Sequence, residues 1–131
     1  MNPPSELLKI LLIEDSDDDA DLLLHELKRA GYQVELARVE TADAMRSALP
    51  SREWDLIICD YSLPKFNAPS ALAVLQSEGY DIPFIIVSGT IGEETAVEAL
   101  IAGAHDFIIK GSMARLKPAI QRGLKDAEIR R

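Results

Sequence analysis

The chain has 131 residues, of which 14 are basic and 22 are acidic, so its formal net charge at pH 7 is −8. This length favours a single domain, and a hydrophobic content of 47% is enough for a core and argues against disorder. The acidic balance argues against nonspecific nucleic-acid binding, and no apolar run reaches the roughly 20 residues of a membrane span. One cysteine excludes an internal disulfide and a cysteine-based metal cluster. We therefore expect a cytoplasmic domain that contacts neither nucleic acid nor membrane.

Five apolar runs alternate with segments of helical periodicity. The runs predict strands at residues 9–14, 33–38, 55–59, 83–88 and 105–109. After each strand, apolar residues recur at the spacing of one helix face, as Ala20, Leu23 and Leu27 do in the first helix. Three glycines are predicted to end helices: Gly31, Gly79 and Gly103. The sequence therefore predicts five strands and five helices in strict alternation.

This alternation predicts β-α-β units and a parallel sheet covered by helices on both faces. The second strand alternates apolar and polar residues, which places it at an edge, and right-handed crossovers then favour the strand order 2-1-3-4-5. We expect an α/β fold, a (βα)5 flavodoxin-like three-layer sandwich. Residues 1–131 form one domain in this interpretation, with a core at about 8–127 and a flexible tail at 1–7. The last helix runs to Arg131 without a stop signal, which predicts either a frayed end or a longer protein.

The chemistry-bearing residues follow the predicted strands. Strand one leads into Glu14 and Asp15, strand three into Asp60, strand four into Ser88 and strand five into Lys110. Ligands of open parallel sheets bind outside the carboxyl ends of the strands, so these side chains are expected to meet at one rim. Strand two, at the far edge, is left out of the predicted site.

Electrostatics predicts a cation at this rim. Three carboxylates and one lysine sum to −2, and two like charges ~4 Å apart repel by about 4 kcal/mol at an effective dielectric constant of ~20. Oxygen ligands suit Mg²⁺ or Mn²⁺. We expect Asp15 and Asp60 as direct ligands, with Glu14 acting through water. The cation could then hold a phosphoryl group near Asp60, with Lys110 and Ser88 donating to its oxygens.

Asp60 is the predicted nucleophile, because a carboxylate at the end of a buried strand can accept a phosphoryl group as an acyl phosphate. Alone, such an aspartate is more often a cap or turn residue. The acidic run from Asp17 to Asp21 could extend the metal site, but Ser16 as N-cap and aspartates in the first turn of a helix favour a helix start.

Together these residues resemble the receiver domain of a two-component response regulator, of the chemotaxis-regulator-like superfamily. The resemblance runs from about residue 8 to about residue 127. It is carried by the pair Glu14–Asp15, by Asp60 with Pro64 after it, by Ser88–Gly89, and by residues 103–107 leading to Lys110. The stretches 88–94 and 115–120 resemble receivers attached to sensor kinases or other signalling modules, as in a chain excised from a hybrid or multidomain protein.

The resemblance implies that a histidine kinase, or a histidine phosphotransfer domain, passes a phosphoryl group to Asp60. Mg²⁺ would be held by Asp15, Asp60 and the backbone carbonyl of Ser62, and Lys110 would pair with the phosphoryl group. Movement of Ser88 and Phe107 would then remodel the face made by helix four, strand five and helix five. That face could also form a homodimer, and an output domain could follow Arg131.

The resemblance further implies that Ser62 and Thr90, each two positions after a site residue, tune the loss of the phosphoryl group. Two positions depart from the family pattern. Gly111 replaces the usual proline after the lysine, so we expect a trans bond and a looser loop there. Ala68 stands where glycine is usual, and alanine is disfavoured if that backbone has positive φ.

Two alternatives remain open from the sequence. One is a pseudo-receiver that docks without phosphorylation, against which stand the five intact residues of the predicted site. The other is an aspartate-dependent phosphohydrolase, which needs an acid/base aspartate two residues after the nucleophile, where this chain has Ser62. The predicted domain is thus a phosphoacceptor that modifies only itself and is not a turnover enzyme.

Overall fold

A computed structural model describes residues 7–61, 66–89 and 93–130, without the side chains of 93–96, 112, 129 and 130. Five parallel strands form one sheet in the order β2-β1-β3-β4-β5. The strands are β1 (Leu7–Ile13), β2 (Gln33–Val39), β3 (Leu56–Asp60), β4 (Phe84–Ser88) and β5 (Asp106–Ile109). The α-helices are α1 (Asp17–Arg29), α2 (Ala42–Ala48), α3 (Ala68–Ser77), α4 (Glu93–Ala102) and α5 (Leu116–Arg130). Two 3₁₀ turns, Leu49–Ser51 and Lys110–Arg115, complete the described elements, and the predicted order and alternation are confirmed.

The two faces of the sheet build two separate cores because successive strand residues point to opposite sides. Leu11 and Ile13 of β1 belong to the core beneath α2, α3 and α4, whereas Ile10 and Leu12 belong to the core beneath α1 and α5. All four side chains are at most 1% exposed. Each such aliphatic side chain contributes about 1.5–3 kcal/mol to the stability of the fold by leaving water. Packing on both faces therefore holds β1 and the residues that follow it in place.

Strand ends differ from the predicted ones by one or two residues. β1 begins at Leu7, which pairs with Gln33, so residue 7 is not part of the predicted tail, and residues 1–6 lie outside the described residues. β3 extends through Asp60, which pairs with Val87 of β4. The sheet register therefore fixes the backbone of Asp60 directly.

Local signals for the helix ends behave as predicted. Ser16 caps α1 by accepting the backbone N–H of Asp19, and three aspartates fill the first turn of that helix. The predicted C-terminal glycines have positive φ, at 97° for Gly31, 78° for Gly79 and 123° for Gly103. These angles cost glycine little and a side-chain-bearing residue more, which explains why the helices stop there.

The two departures from the family pattern are accommodated without unusual backbone. The described residues contain no cis peptide bond, so the bond before Gly111 is trans as expected, and a 3₁₀ turn continues from it. Ala68 is the first residue of α3, behind the N-cap Asn67, and no described non-glycine residue has positive φ. Ala68 therefore lacks the positive φ that would disfavour alanine, and residues 62–65 lie outside the described part.

None of the described helices is both long and apolar enough to cross a membrane.

Candidate functional site

The carboxyl ends of the parallel strands bring side chains that are distant in sequence to one rim. Glu14 follows β1, Asp60 ends β3 and Lys110 follows β5. Glu14 and Asp60 are only 4% and 8% exposed, respectively. Ser88, at the end of β4, is fully buried and lies one residue beyond the sheet partner of Asp60.

Lys110 is the cation at the centre of this rim. Its Nζ donates to Asp60 Oδ2 at 3.1 Å and to Asp19 Oδ2 at 2.7 Å, and it lies 3.9 Å from Glu14 Oε1. One ammonium group thus faces three carboxylates from β1, α1 and β3. The sum of these four charges is −2, the excess that the sequence predicted, although with a different third acid.

The three acids form a compact oxygen cluster. One carboxylate oxygen each from Glu14, Asp19 and Asp60 lies within 4.8 Å of the others. Together with Lys110, these residues line a small hollow of about 20 Å³, which apolar residues such as Leu12 also line. A space of this size accommodates about one water molecule or a single ion.

Glu14 experiences the excess negative charge most strongly. Burial, followed by the charge of Asp60, raises the pKa of Glu14 from 4.5 to about 7, although the Ser16 amide and Lys110 act in the opposite direction. Its Oε2 accepts the backbone N–H groups of Asp15 at 3.1 Å and Ser16 at 3.2 Å. Without a further cation, the protonated form of Glu14 is therefore populated near neutral pH.

Lys110 stays charged despite its surroundings. Partial burial lowers the pKa of Lys110, but hydrogen bonds to Asp19 and Asp60 and the charges of Asp60 and Glu14 more than offset that effect, so its pKa is raised. Beneath the site, burial raises the pKa of the Cys59 thiol, which donates to the Asp60 carbonyl at 3.3 Å. Cys59 is thus a neutral, buried neighbour of the site.

Asp19 belongs to the site, although the sequence favoured a helix-start role for the acidic run that contains it. It was assigned to the start of α1, and its backbone does lie there, but its carboxylate turns toward Lys110. The sequence feature that could have indicated this role is the position of Asp19 in the first turn of the helix that follows the acidic pair Glu14–Asp15. Such a residue lies above the same rim as the strand ends.

The structure does not bring all predicted residues into the cluster. Asp15 is exposed, and its carboxylate is not among the three clustered acids. Its role as a direct metal ligand stays a prediction. Ser62 and Thr90 lie outside the described residues, so their predicted roles also stay predictions.

Arg38 of β2 braces the rim, although strand two had been left out of the predicted site. Its guanidinium donates to the Glu14 carbonyl at 3.4 Å and forms an ion pair with Asp17. Arg38 therefore ties the edge strand to the loop that carries Glu14 and to the first turn of α1.

Phe107, the predicted switch residue, lies on β5 beside the site. Its ring is 6% exposed and its centroid is 6.4 Å from that of Tyr61, the residue after Asp60. The preceding residue, Asp106, is buried and forms ion pairs with Arg115 and Arg122. Arginines of the second 3₁₀ turn and of α5 thus form ion pairs with β5 at the residue next to Phe107.

The sequence of this chain matches a known protein family. The model of the response regulator receiver domain matches residues 10–121, which is most of the chain. The chain is a receiver domain of this family. Such domains are phosphoacceptor switches of two-component systems, generally not classical enzymes, and bind Mg²⁺ at an acidic pocket. The resemblance inferred from the sequence is confirmed.

Curated relatives of this receiver domain are longer proteins. It is 29% identical over 119 residues to the transcriptional regulatory protein PrrA of Mycobacterium tuberculosis, covering 87% of this chain and 50% of that protein. It is 32% identical over 125 residues to the nitrogen assimilation regulatory protein NtrX of Azorhizobium caulinodans, covering 93% and 27%, respectively. The chain thus spans half or less of the length of these two relatives.

Solved structures agree with this assignment. The signal receiver domain of a signal transduction histidine kinase from Syntrophus aciditrophicus is 30% identical, with a TM-score of 0.72 and 90% of each chain covered. NtrX from Brucella abortus is 27% identical, with a TM-score of 0.79, covering 95% of this chain and 28% of that one. Receivers similar to this one therefore occur both in regulators and in kinases.

The donor set of the rim fits a hard divalent cation. All the clustered ligand atoms are carboxylate oxygens, which Mg²⁺ and Mn²⁺ prefer. Burial first, and then the charge of Asp60, raise the pKa of Glu14, which is consistent with an imbalance of negative charge among these acids. A bound cation would remove that imbalance and favour the charged form of Glu14.

We expect the Mg²⁺ affinity of the receiver domain to rise by up to about tenfold between about pH 6 and about pH 8, because Glu14 loses its proton as the pH passes about 7. In the metal-free protein, the raised pKa of Glu14 contributes to the stability of the fold below about pH 4.5, and this contribution to stability is lost as the pH rises through about 7. Titration calorimetry at several pH values measures the affinity.

Glu14→Gln is expected to flatten this pH profile. Glu53→Gln, which changes an exposed glutamate just before β3 at the opposite end of the sheet, is the control and should keep it. A steep profile that persists in Glu14→Gln would show that another group titrates.

Proposed function

We propose that this receiver domain accepts a phosphoryl group on Asp60 from a histidine kinase or a histidine phosphotransfer domain, in a reaction that needs Mg²⁺. The observation that carries the proposal is the contact between Lys110 Nζ and Asp60 Oδ2, at 3.1 Å, inside a cluster of acids with uncompensated charge. A structural carboxylate would need only its lysine partner. The additional acids around this pair support a bound cation, which could in turn hold the oxygens of a phosphoryl group.

The transfer uses the carboxylate of Asp60 as the nucleophile. One of its oxygens bonds to phosphorus while the phosphorus–nitrogen bond of the phosphohistidine breaks, and the electron pair of that bond returns to the imidazole. Lys110 then faces the new phosphoryl oxygens and stabilises their charge. The Ser88 hydroxyl is proposed to donate to another of these oxygens once it moves toward the site.

Metal ligation is proposed from the same rim. Asp15, Asp60 and the backbone carbonyl of Ser62 would hold Mg²⁺ or Mn²⁺, with Glu14 acting through water. When bound, the cation neutralises carboxylate charge and polarises the phosphoryl oxygens. Asp19 belongs to the acidic cluster, but its carboxylate is paired with Lys110 and it is not assigned as a metal ligand in this proposal.

The switch is proposed to run from Ser88 and Phe107 to the face formed by α4, β5 and α5. A cavity of about 280 Å³ lies between α3 and α4, and Tyr61, which contacts Phe107, is one of its walls. Packed cores move between discrete arrangements rather than deforming continuously. Free space beside the Phe107–Tyr61 pair supports a second arrangement of this region.

The same face is proposed to bind partners. Three residues of α4 are large, apolar and solvent-exposed: Val97, Leu100 and Ile101, the last at 80%. We propose that the phosphorylated domain forms a homodimer through α4-β5-α5 or contacts an output domain that follows Arg131 in a longer protein. The greater length of the two curated relatives supports the second partner.

We expect Ile101→Asp to weaken self-association of the phosphorylated domain by about tenfold or more, because it places a charge at the most exposed apolar position of this face. Sedimentation equilibrium measures the association. Leu7→Asp, at an exposed apolar residue at the start of β1, is the control. An unchanged association constant in Ile101→Asp would exclude this face as the dimer interface.

Asp60→Asn is expected to abolish phosphorylation. Incubated with Mg²⁺ and acetyl phosphate, the wild-type protein should gain the mass of one phosphoryl group, and the variant should gain none because an amide is not a nucleophile. Intact mass spectrometry measures both. Asp43→Asn, at a fully exposed carboxylate of α2, is the control and should behave as the wild type.

Other outcomes identify the alternatives. A wild-type protein without an adduct would contradict phosphoacceptance and favour the docking pseudo-receiver. Steady release of phosphate from generic phosphomonoesters would favour the phosphohydrolase, for which residue 62 lacks the expected acid.

A further inference from the structure

The closest carboxylate to Lys110 is that of Asp19, not that of Asp60. Nζ lies 2.7 Å from Asp19 Oδ2, compared with 3.1 Å for Asp60 and 3.9 Å for Glu14. The Asp19 and Lys110 side chains are 39% and 25% exposed, so their interaction is partly shielded from water. Asp19, and not the proposed phosphoacceptor Asp60, is therefore the nearest ion-pair partner of Lys110.

Helix capping does not explain this contact. Ser16 and Asp19 have the spacing of a capping box, in which the acid accepts the backbone N–H of the cap residue. Here that N–H donates instead to Glu14 Oε2 at 3.2 Å. Glu14 thus takes the capping role of the acid, and the carboxylate of Asp19 turns to Lys110.

The neighbouring aspartates of the same helical turn behave differently. Asp17 forms an ion pair with Arg38, and Asp18 is exposed. All three aspartates favour the positive end of the α1 dipole, but of these three only Asp19 contacts Lys110 in the part of the chain that the structure describes. The position of Asp19 is thus specific to the site.

We propose that Asp19 is a positioning residue that competes with the phosphoryl group for Lys110 and thereby shortens the lifetime of the phosphorylated state. This inference rests on the proposed phosphorylation of Asp60. It assigns the regulation of that site to a residue of α1 that belongs neither to the acidic pair nor to the strand ends.

The competition follows from charge. Lys110 carries one positive charge, which Asp19 and the phosphoryl group on Asp60 must share. A carboxylate oxygen of Asp19 also lies within 4.8 Å of one of Asp60, so it repels the phosphoryl oxygens that are added there. Both effects raise the free energy of the phosphorylated state.

Hydrolysis relieves this penalty. A water oxygen bonds to phosphorus, the bond between phosphorus and the Asp60 oxygen breaks, and its electron pair returns to Asp60 as a carboxylate. The phosphate and the solvent take the protons of the water. Because the phosphoryl group that competes with Asp19 for Lys110 moves away from Asp60 as this bond lengthens, the transition state is penalised less than the phosphorylated state.

The test compares the lifetime of the phosphorylated state in four proteins at saturating Mg²⁺. They are the wild type, Asp19→Asn, Asp19→Glu and Asp18→Asn, each loaded with acetyl phosphate, freed of donor and followed by intact mass. Asp19→Asn should lengthen the half-life by about two- to tenfold, the effect of losing a partly exposed ion pair and one repulsive charge. Asp19→Glu restores the charge and should return the half-life toward that of the wild type.

Asp18→Asn is the matched control, because it removes the same charge from the same helical turn without a contact to Lys110. It should leave the half-life unchanged. Thermal unfolding of all four proteins checks that the fold is intact, since a structural effect would lower the midpoint without the charge-dependent rescue by Asp19→Glu.

The outcomes separate this inference from the proposed function. If the wild type is phosphorylated and Asp19→Asn decays at the same rate or faster, Asp19 does not compete for Lys110, while Asp60 remains the acceptor. Equal lengthening in Asp18→Asn would assign the effect to the charge of α1 in general and overturn the inference. A wild type that takes no phosphoryl group would overturn both.

Discussion

The central constraint of this structure is the accumulation of like charge at the end of a buried parallel sheet. Glu14, Asp19 and Asp60 approach within 4.8 Å of one another, and Lys110 is the cation that contacts all three. Apolar strands below the cluster exclude water that would screen this repulsion. Burial, together with the charge of Asp60, favours a proton on Glu14, whose pKa rises to about 7. Binding of a divalent cation would lower the free energy of a site with this excess of negative charge.

The fold sustains this condition because each acid is fixed by a different element. Asp60 is held by its strand register, Glu14 by two backbone N–H groups of the following loop, and Asp19 by the first turn of α1. No single segment can relax to separate the charges. Lys110 belongs to a fourth element, the segment after β5, the strand that carries Phe107. In the proposed switch, a change in the partners of Lys110 reaches Phe107 and the α4-β5-α5 face through that segment.

Much of this architecture was predictable from local patterns. Uninterrupted apolar runs and the alternating second strand predicted the strand order, and polar residues after β1, β3, β4 and β5 predicted the rim. Side-chain direction was less predictable. Asp19 has the sequence context of a capping residue, and only the competing bond from the Ser16 amide to Glu14 shows why its carboxylate turns away. Likewise, Arg38 is the penultimate residue of the edge strand β2, and its reach to the Glu14 carbonyl depends on the register of β2 with β1.

The most direct test of the central claim is to locate the cation. Crystals of the receiver domain soaked in Mn²⁺ should give one strong anomalous peak at the rim, at about 2–2.3 Å from an Asp60 carboxylate oxygen, with Asp15 contributing the second acidic ligand. An absence of bound Mn²⁺ at millimolar concentration, or a peak remote from Asp60, would contradict the account. The charge cluster would then be a feature of the fold and not the basis of its chemistry.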